Sequence, residues 1–219
     1  SGFVVAVDGK TVYIVTAAHV VEGDANPKVE FYARQNTPVN AEVIKQELRI
    51  DLAVLKVAEA PQSTALAFET AAKPKVGDEV VAFGFPQGGG AWLMSKADLA
   101  GREGPDLIFS GAAIDQGSSG GPLIKDGKVV AVVQALQGKF VRAAPASFVA
   151  ETLEGWGITL NAAAAAGETA AQSARSAQTQ SGPPETSGNS QFAAIQQAAE
   201  GGNARAMAAL VDMYGTGEG

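Results

Sequence analysis

Ser119 lies in a glycine-rich run, residues 117–122, whose composition could support nucleophilic chemistry. A serine hydroxyl is barely acidic, so it needs an exposed turn and a neighbouring base before it can attack a carbonyl carbon. Glycines on both sides allow close backbone approach, and they free the amides of Gly117 and Ser119 to point into one small space. Such paired donors can hold the oxyanion of acyl transfer. The alternative is a surface loop, since Gly and Ser are common in turns.

His19 is the only histidine of the chain, and it follows a strand-like run at residues 11–15. Imidazole titrates near neutral pH, so it can take up a proton and return it. Asp51 precedes the apolar run 52–57, where a carboxylate is costly to bury unless it accepts a hydrogen bond. A histidine N–H would be a suitable donor. The alternatives are a structural histidine at a strand end and an ordinary surface aspartate at the start of a strand.

Short strands must position these three side chains. Residues 3–7 and 11–15 flank the turn Asp8-Gly9, which predicts a β-hairpin. A helix is predicted at 146–153. Further apolar runs predict strands at 28–32, 39–44, 52–57, 80–85, 107–110, 123–125, 129–136, 140–143 and 158–160. Many short strands at close spacing indicate a barrel or a sandwich.

The composition changes after residue 160. Residues 161–190 are rich in Ala, Ser, Gly, Thr and Gln, so they cannot bury a core and are predicted to form a flexible linker. In residues 191–219 apolar side chains recur at helical spacing, which predicts a helical pair too small to be stable alone. The chain begins without Met inside a predicted strand. We therefore expect a fragment of a longer protein, with any targeting segment outside it.

Composition also argues against several functions. The net charge of −7 does not suit a surface that binds nucleic acid. The chain has no cysteine, which excludes disulfides and thiolate chemistry, and its single histidine leaves too few ligands for a structural zinc site. Its apolar runs fall short of the ~20 residues of a membrane span. We expect no metal, no organic cofactor, no nucleic-acid partner and no span in this chain.

Three segments together resemble the signatures of the chymotrypsin-fold serine proteases, and most closely the bacterial HtrA/Deg branch. They are Thr16-Ala17-Ala18-His19, Asp51-Leu52-Ala53-Val54-Leu55 and Gly117-Ser118-Ser119-Gly120-Gly121-Pro122. The resemblance covers residues 1–160. It implies an all-β fold of two six-stranded barrels, with His19 and Asp51 on the first and Ser119 on the second.

The same resemblance implies a serine endopeptidase that acts on proteins or peptides through a triad of His19, Asp51 and Ser119. The amides of Gly117 and Ser119 would form the oxyanion hole, and no cofactor would be needed. The specificity pocket would lie around Ala113 and Ala135, which are uncharged and favour small or medium aliphatic substrate residues. By family habit the protein would be periplasmic or extracellular.

Two further expectations concern partners. Residues 191–219 resemble Sel-like, tetratricopeptide-related helical repeats, which implies a protein partner; the alternative is a small amphipathic tail. The rival function for the whole chain is a non-catalytic platform, on which a protease fold serves protein–protein interaction.

Overall fold

The computed structural model describes residues 1–85, 92–111 and 117–160. Within these ranges the chain forms twelve β-strands, one short 3-10 helix and one α-helix. The linker and helical segment predicted after residue 160 lie outside the described residues, and so does Ala113. Among the described residues no helix has the length and apolar character needed to cross a bilayer.

The first lobe contains six strands in two separate sheets. They are β1 (Gly2–Asp8), β2 (Thr11–Thr16), β3 (Lys28–Phe31), β4 (Arg34–Asn40), β5 (Glu42–Glu47) and β6 (Leu52–Val57). The larger sheet has the order β1-β2-β6-β5, and β3 pairs with β4 alone. Asp8 pairs with Thr11 across the turn, which confirms the predicted hairpin.

The second lobe is a closed six-stranded barrel followed by a helix. Its strands are β7 (Glu79–Gly84), β8 (Leu93–Glu103), β9 (Asp106–Ser110), β10 (Pro122–Lys125), β11 (Lys128–Gln137) and β12 (Phe140–Pro145). The order β10-β11-β12-β9-β8-β7 closes where Leu123 of β10 pairs with Ala82 of β7. The α-helix α1 (Ala146–Gly155) follows β12 directly.

The expectation of two six-stranded barrels is thus met by the second lobe and not by the first. Strand β4 is polar and almost fully exposed along its length, so its burial would contribute little to closing a barrel. It also contains Pro38, which has no N–H to offer to a second neighbouring strand. The hairpin of β3 and β4 therefore stays apart from the four-stranded sheet.

Three elements differ from the sequence-based expectation. The strand expected at 39–44 is divided at Ala41 between the end of β4 and the start of β5, and the Ala41 amide donates to the carbonyl of Pro27 at 2.8 Å. Strand β8 was not predicted, because only two of its eleven residues, Ala97 and Leu99, are buried and its hydrophobic alternation is correspondingly weak. The strand expected at 158–160 does not form. The amide of Ile158 instead donates to the carbonyl of Leu153 at 2.9 Å, and Gly157 has a φ of +78°. This arrangement ends the helix, and it uses the Ile158 N–H that a strand at 158–160 would need for pairing.

A hydrophobic cluster joins the two lobes. Buried side chains of β1, β2 and β6 meet those of β11, β12 and α1. The largest of them are Phe3, Val5, Val15, Leu52, Val54, Val129, Val132, Val149 and Leu153. The segment between the lobes adds backbone hydrogen bonds on both sides. The amide of Leu66 donates to Val4 in β1, and the amide of Val129 in β11 donates to Ala67. The lobes are therefore fixed relative to each other.

Candidate active site

His19 and Asp51 are in direct contact. His19 lies in the 3-10 helix Ala18–Val21, which follows β2 and is anchored by the fully buried Ala17 and Ala18. Its Nδ1 is 2.9 Å from both carboxylate oxygens of Asp51, and its backbone N–H donates to Oδ1 at 3.0 Å. An ionised carboxylate only accepts, so Nδ1 carries the proton and Nε2 of the neutral ring is left as an acceptor.

The conformation of Asp51 turns its carboxylate towards this imidazole. Its φ of +50° is a left-handed value that Asp tolerates better than most residues. The backbone is held by the Asp51 amide, which donates to the carbonyl of Leu48 at 3.2 Å. The Asp51 side chain is 19% exposed and the His19 side chain 46% exposed. The carboxylate is thus shielded while the imidazole stays accessible.

Ser119 lies on the loop that precedes β10, and this loop is fastened to the second barrel. The amide of Gly120 donates to the carbonyl of Val133 at 2.7 Å, and the amide of Val133 donates to Gly121 at 3.0 Å. Ser118 is buried, whereas Ser119 is partly exposed. Gly117 and Gly120 have φ values of +99° and +81°, which only glycine adopts readily.

The loop that carries Ser119 touches the segment that carries His19. A Cβ added to Gly120 would lie 2.5 Å from the backbone nitrogen of Ala17 and would collide with the Thr16 hydroxyl. Real Cβ atoms do not come so close, so the backbone after Ser119 rests directly on the backbone two residues before His19. The sequence-predicted nucleophile and base therefore lie on adjoining segments where the two lobes meet.

Of the two residues expected in the specificity pocket, Ala113 and Ala135, the structure describes only Ala135. Ala135 is half-buried near the end of β11, in the second lobe. Ala113 lies outside the described residues. Among the residues that are described, no group of three or more His, Cys, Asp or Glu side chains is arranged to hold a metal ion.

Sequence reasoning missed Gln134, which supports the Asp51 segment from the second lobe. Gln134 is 6% exposed and sits where the pairing of β11 with β12 shifts by one residue. Such a bulge re-aims a side chain. Its Nε2 donates to the carbonyl of Ile50 at 2.9 Å, directly before Asp51. The one visible signal was a polar side chain inside the apolar run 129–136.

Comparison with known proteins agrees with this geometry. Residues 1–132 match the family model of the trypsin-like peptidase domain. The chain is 32% identical over 146 residues to the serine protease Do-like HtrA of Bacillus subtilis, covering 60% of this chain and 32% of that protein. It is 40% identical over 146 residues to a probable periplasmic serine endoprotease DegP-like protein of Brucella suis, covering 62% and 27%. The chain thus spans about a third or less of the length of these curated relatives.

Solved protease structures also resemble this chain. The active form of the Rv3671c protease from M. tuberculosis superposes with a TM-score of 0.60 at 30% identity, covering 70% of this chain and 71% of that one. Its inactive form superposes with a TM-score of 0.59. The family model covers more than half of the sequence, and the closed barrel and the relatives agree with it. The chain belongs to the trypsin-like peptidase family.

Proposed function

We propose that this chain is a serine endopeptidase that hydrolyses internal peptide bonds of proteins through a triad of His19, Asp51 and Ser119. The observation that carries the proposal is the contact between Nδ1 of His19 and both oxygens of Asp51. That contact fixes the ring tautomer in which Nε2 can accept a proton. The serine loop adjoins this pair through Gly120 and Ala17.

In the proposed reaction, Nε2 of His19 takes the proton of the Ser119 hydroxyl as Oγ attacks the substrate carbonyl carbon. The amides of Gly117 and Ser119 hold the negative oxygen of the tetrahedral intermediate. The intermediate collapses when His19 gives its proton to the leaving amine, and the acyl-enzyme remains. His19 then removes a proton from water as the water oxygen attacks the acyl carbon. His19 returns that proton to Oγ of Ser119 when the C–O bond of the acyl-enzyme breaks and the product acid is released. Asp51 stays ionised and stabilises the imidazolium.

The proposed substrate preference rests on the two residues expected in the specificity pocket. Ala135, together with Ala113, offers no charge to pair with a basic or acidic substrate side chain, so small or medium aliphatic residues are preferred. Residues 1–160 form the peptidase domain in this proposal, and 191–219 a helical repeat segment for a protein partner. Curated relatives are named periplasmic, which supports a periplasmic location for the full protein.

The test is cleavage of an unfolded protein, such as casein, by the purified chain and by Ser119→Ala. We expect new amino termini to appear with the unsubstituted chain, mapped by mass spectrometry after small or medium aliphatic residues, and none with the variant. Ser63→Ala is the matched control, because its hydroxyl donates to the local carbonyl of Pro61.

Two outcomes would count against the proposal. Absence of cleavage in both forms, with casein still bound, favours the non-catalytic platform. Cleavage sites dominated by Lys or Arg would remove the proposed substrate preference while leaving the peptidase activity intact.

A further inference from the structure

We propose that the hydroxyl of Ser1 is a positioning group for the oxyanion loop; this inference rests on the proposed peptidase function. Ser1 Oγ donates to the carbonyl of Gly117 at 2.6 Å and accepts the backbone N–H of Phe85 at 3.0 Å. One oxygen atom therefore joins three segments: the residue before β1, the serine loop and the residue after β7.

The Ser1 side chain is itself held in place. The hydroxyl of Thr16 in β2 donates to the Ser1 carbonyl at 2.7 Å, and the Ser1 backbone nitrogen lies 3.1 Å from the same Gly117 carbonyl oxygen. Its Cβ would be 3.4 Å from a Cβ built on Gly121, so the side chain is packed against the loop. A hydroxyl with these restraints has little freedom to leave Gly117.

Gly117 is the residue of the loop that most needs such a restraint. With a φ of +99° and no Cβ, its two flanking peptide groups have a wide choice of orientations. Its N–H is one of the two proposed oxyanion donors, and its C=O is the group that Ser1 holds. The N–H and C=O of Gly117 belong to the two peptide groups that meet at its Cα, so holding the C=O fixes the peptide group between Gly117 and Ser118. The other group, which carries the Gly117 N–H, then has only rotation about φ and ψ of Gly117 left, and this restraint helps to keep the amide aimed before the charge develops.

Neighbouring parts of the loop are held by packing instead. Ser118 is buried, and a Cβ added to Gly84 of β7 would lie 2.9 Å from the Ser118 hydroxyl oxygen. A Cβ added to Gly121 would collide with the carbonyl oxygen of Phe83. Packing sets the position of the loop, whereas the Ser1 hydroxyl sets the orientation of the peptide group between Gly117 and Ser118.

A group that acts through the oxyanion donors alters kcat more than KM, because the oxyanion exists only in the transition state. Loss of a donor itself costs roughly 100- to 1000-fold in kcat. For Ser1→Ala we expect a smaller loss of roughly 10-fold, since one hydrogen bond to Gly117 is removed while the packing that positions the loop is kept. The KM should stay within about 2-fold.

The experiment compares the full chain with Ser1→Ala, Ser1→Thr, Ser1→Cys and the control Ser63→Ala. Each is assayed on a peptide anilide with valine at the cleaved bond, and inhibited by the corresponding peptide boronic acid, whose adduct places an oxygen where the oxyanion forms. We expect Ser1→Ala to lower kcat and weaken boronate binding by the same factor. Ser1→Thr should restore both to within about 3-fold, since it keeps a hydroxyl.

Ser1→Cys keeps the shape of the side chain but has only a weak S–H donor, so we expect it to lower kcat and boronate affinity as Ser1→Ala does. It also supplies the comparison if the alanine variant folds poorly. If the unsubstituted chain cleaves the peptide, and the alanine and cysteine variants show the same kcat and boronate affinity as that chain, the inference about Ser1 is overturned and the proposed function is kept. A loss confined to KM, or one that threonine does not rescue, would also overturn it. An inactive unsubstituted chain would overturn the proposed function, and this inference with it.

Discussion

At the residue scale, the proposed catalysis depends on the charge of Asp51. The change Asp51→Asn suits the test because Asn also tolerates the left-handed φ of +50°, so the local backbone should be kept. The amide would favour the wrong imidazole tautomer, with the proton on Nε2. We expect kcat to fall by about 10⁴-fold, the loss known for this change in a related triad, while KM changes little.

The measurement is kcat and KM on the peptide anilide. The control is Asp24→Asn, which alters an exposed carboxylate that accepts from the nearby amide of Asn26. A decrease in kcat of less than 10-fold for Asp51→Asn would mean that Asp51 does not orient the catalytic imidazole.

The residues of the site differ in how far the sequence reveals them. His19 and Asp51 were singled out by their residue types and local context, and the family resemblance implied their pairing. Nδ1 of His19 lies 2.9 Å from Asp51, and their catalytic roles stay predictions. Ser1 and Gln134 were not predicted, because their importance arises from distant hydrogen-bond partners. Ser1 donates to Gly117, which is 116 positions away, and Gln134 donates to Ile50, which is 84 positions away. A serine before a strand and a glutamine inside one carry no local sign of such partners.

At the element scale, the contact between the serine loop and the end of β2 sets the position of Ser119. Gly120→Ala should disrupt it, because the new Cβ would collide with the Thr16 hydroxyl and the Ala17 backbone, and because the φ of +81° is strained for alanine. We expect a loss of at least about 2 kcal/mol in the free energy of unfolding and loss of casein cleavage.

Urea denaturation checks the first effect and the cleavage assay the second. Gly104→Ala is the matched control, since Gly104 also has a positive φ, +58°, but has open space around the added Cβ. It should lose about 1 kcal/mol of stability and keep its activity. If the two variants behave alike, the close approach at Gly120 does not matter to the site.

Elements with strong local signals were predicted best. The run at 52–57 coincides with β6, because its side chains are nearly all buried and apolar. Strand β8 was missed because most of its side chains are exposed. Its backbone pairing with β7 and β9 holds it in the barrel, and such pairing leaves no local pattern in the sequence. The separation of β3 and β4 from the larger sheet depends on tertiary contacts that a local pattern does not contain.

At the scale of the whole molecule, stability should decrease in acid. The pKa of Glu69 is lowered by the N–H groups of Ala72 and Ala71, and that of Asp78 by the N–H of Lys75 and by Lys125. A carboxyl whose folded-state pKa is depressed stabilises the fold fully above its unfolded pKa, about 4.3 for Glu and 3.9 for Asp. That stabilisation is lost as the pH falls through the lowered folded-state value.

Glu69 and Asp78 should therefore leave the urea midpoint unchanged between about pH 5 and 7, and their protonation should lower the midpoint at pH values below about 4. Asp78→Asn should reduce the slope of that decline, because Asp78 also pairs with Lys125 of β10 at 2.9 Å. Asp24→Asn serves again as the control. An equal acid slope in the Asp78 variant and the unsubstituted chain would remove Asp78 from the explanation.

The division into two β lobes was predicted from the family resemblance, whereas the helix after them was predicted from the local pattern at 146–153. Composition and strand spacing indicated only a barrel or sandwich. The cluster that joins β1, β2 and β6 to β11, β12 and α1 depends on residues that are 75 positions apart (Val54 and Val129) to 150 positions apart (Phe3 and Leu153), which explains why local reasoning could not find it.

The most direct test of the central claim is labelling of the full chain with a fluorophosphonate, which reacts with a serine hydroxyl only when a neighbouring base activates it. We expect one adduct, mapped by peptide mass spectrometry to Ser119, and a labelling rate reduced at least about 100-fold by His19→Ala, since general-base catalysis contributes at least that much. Labelling of another serine, absence of label, or a rate unaffected by His19→Ala would contradict the account.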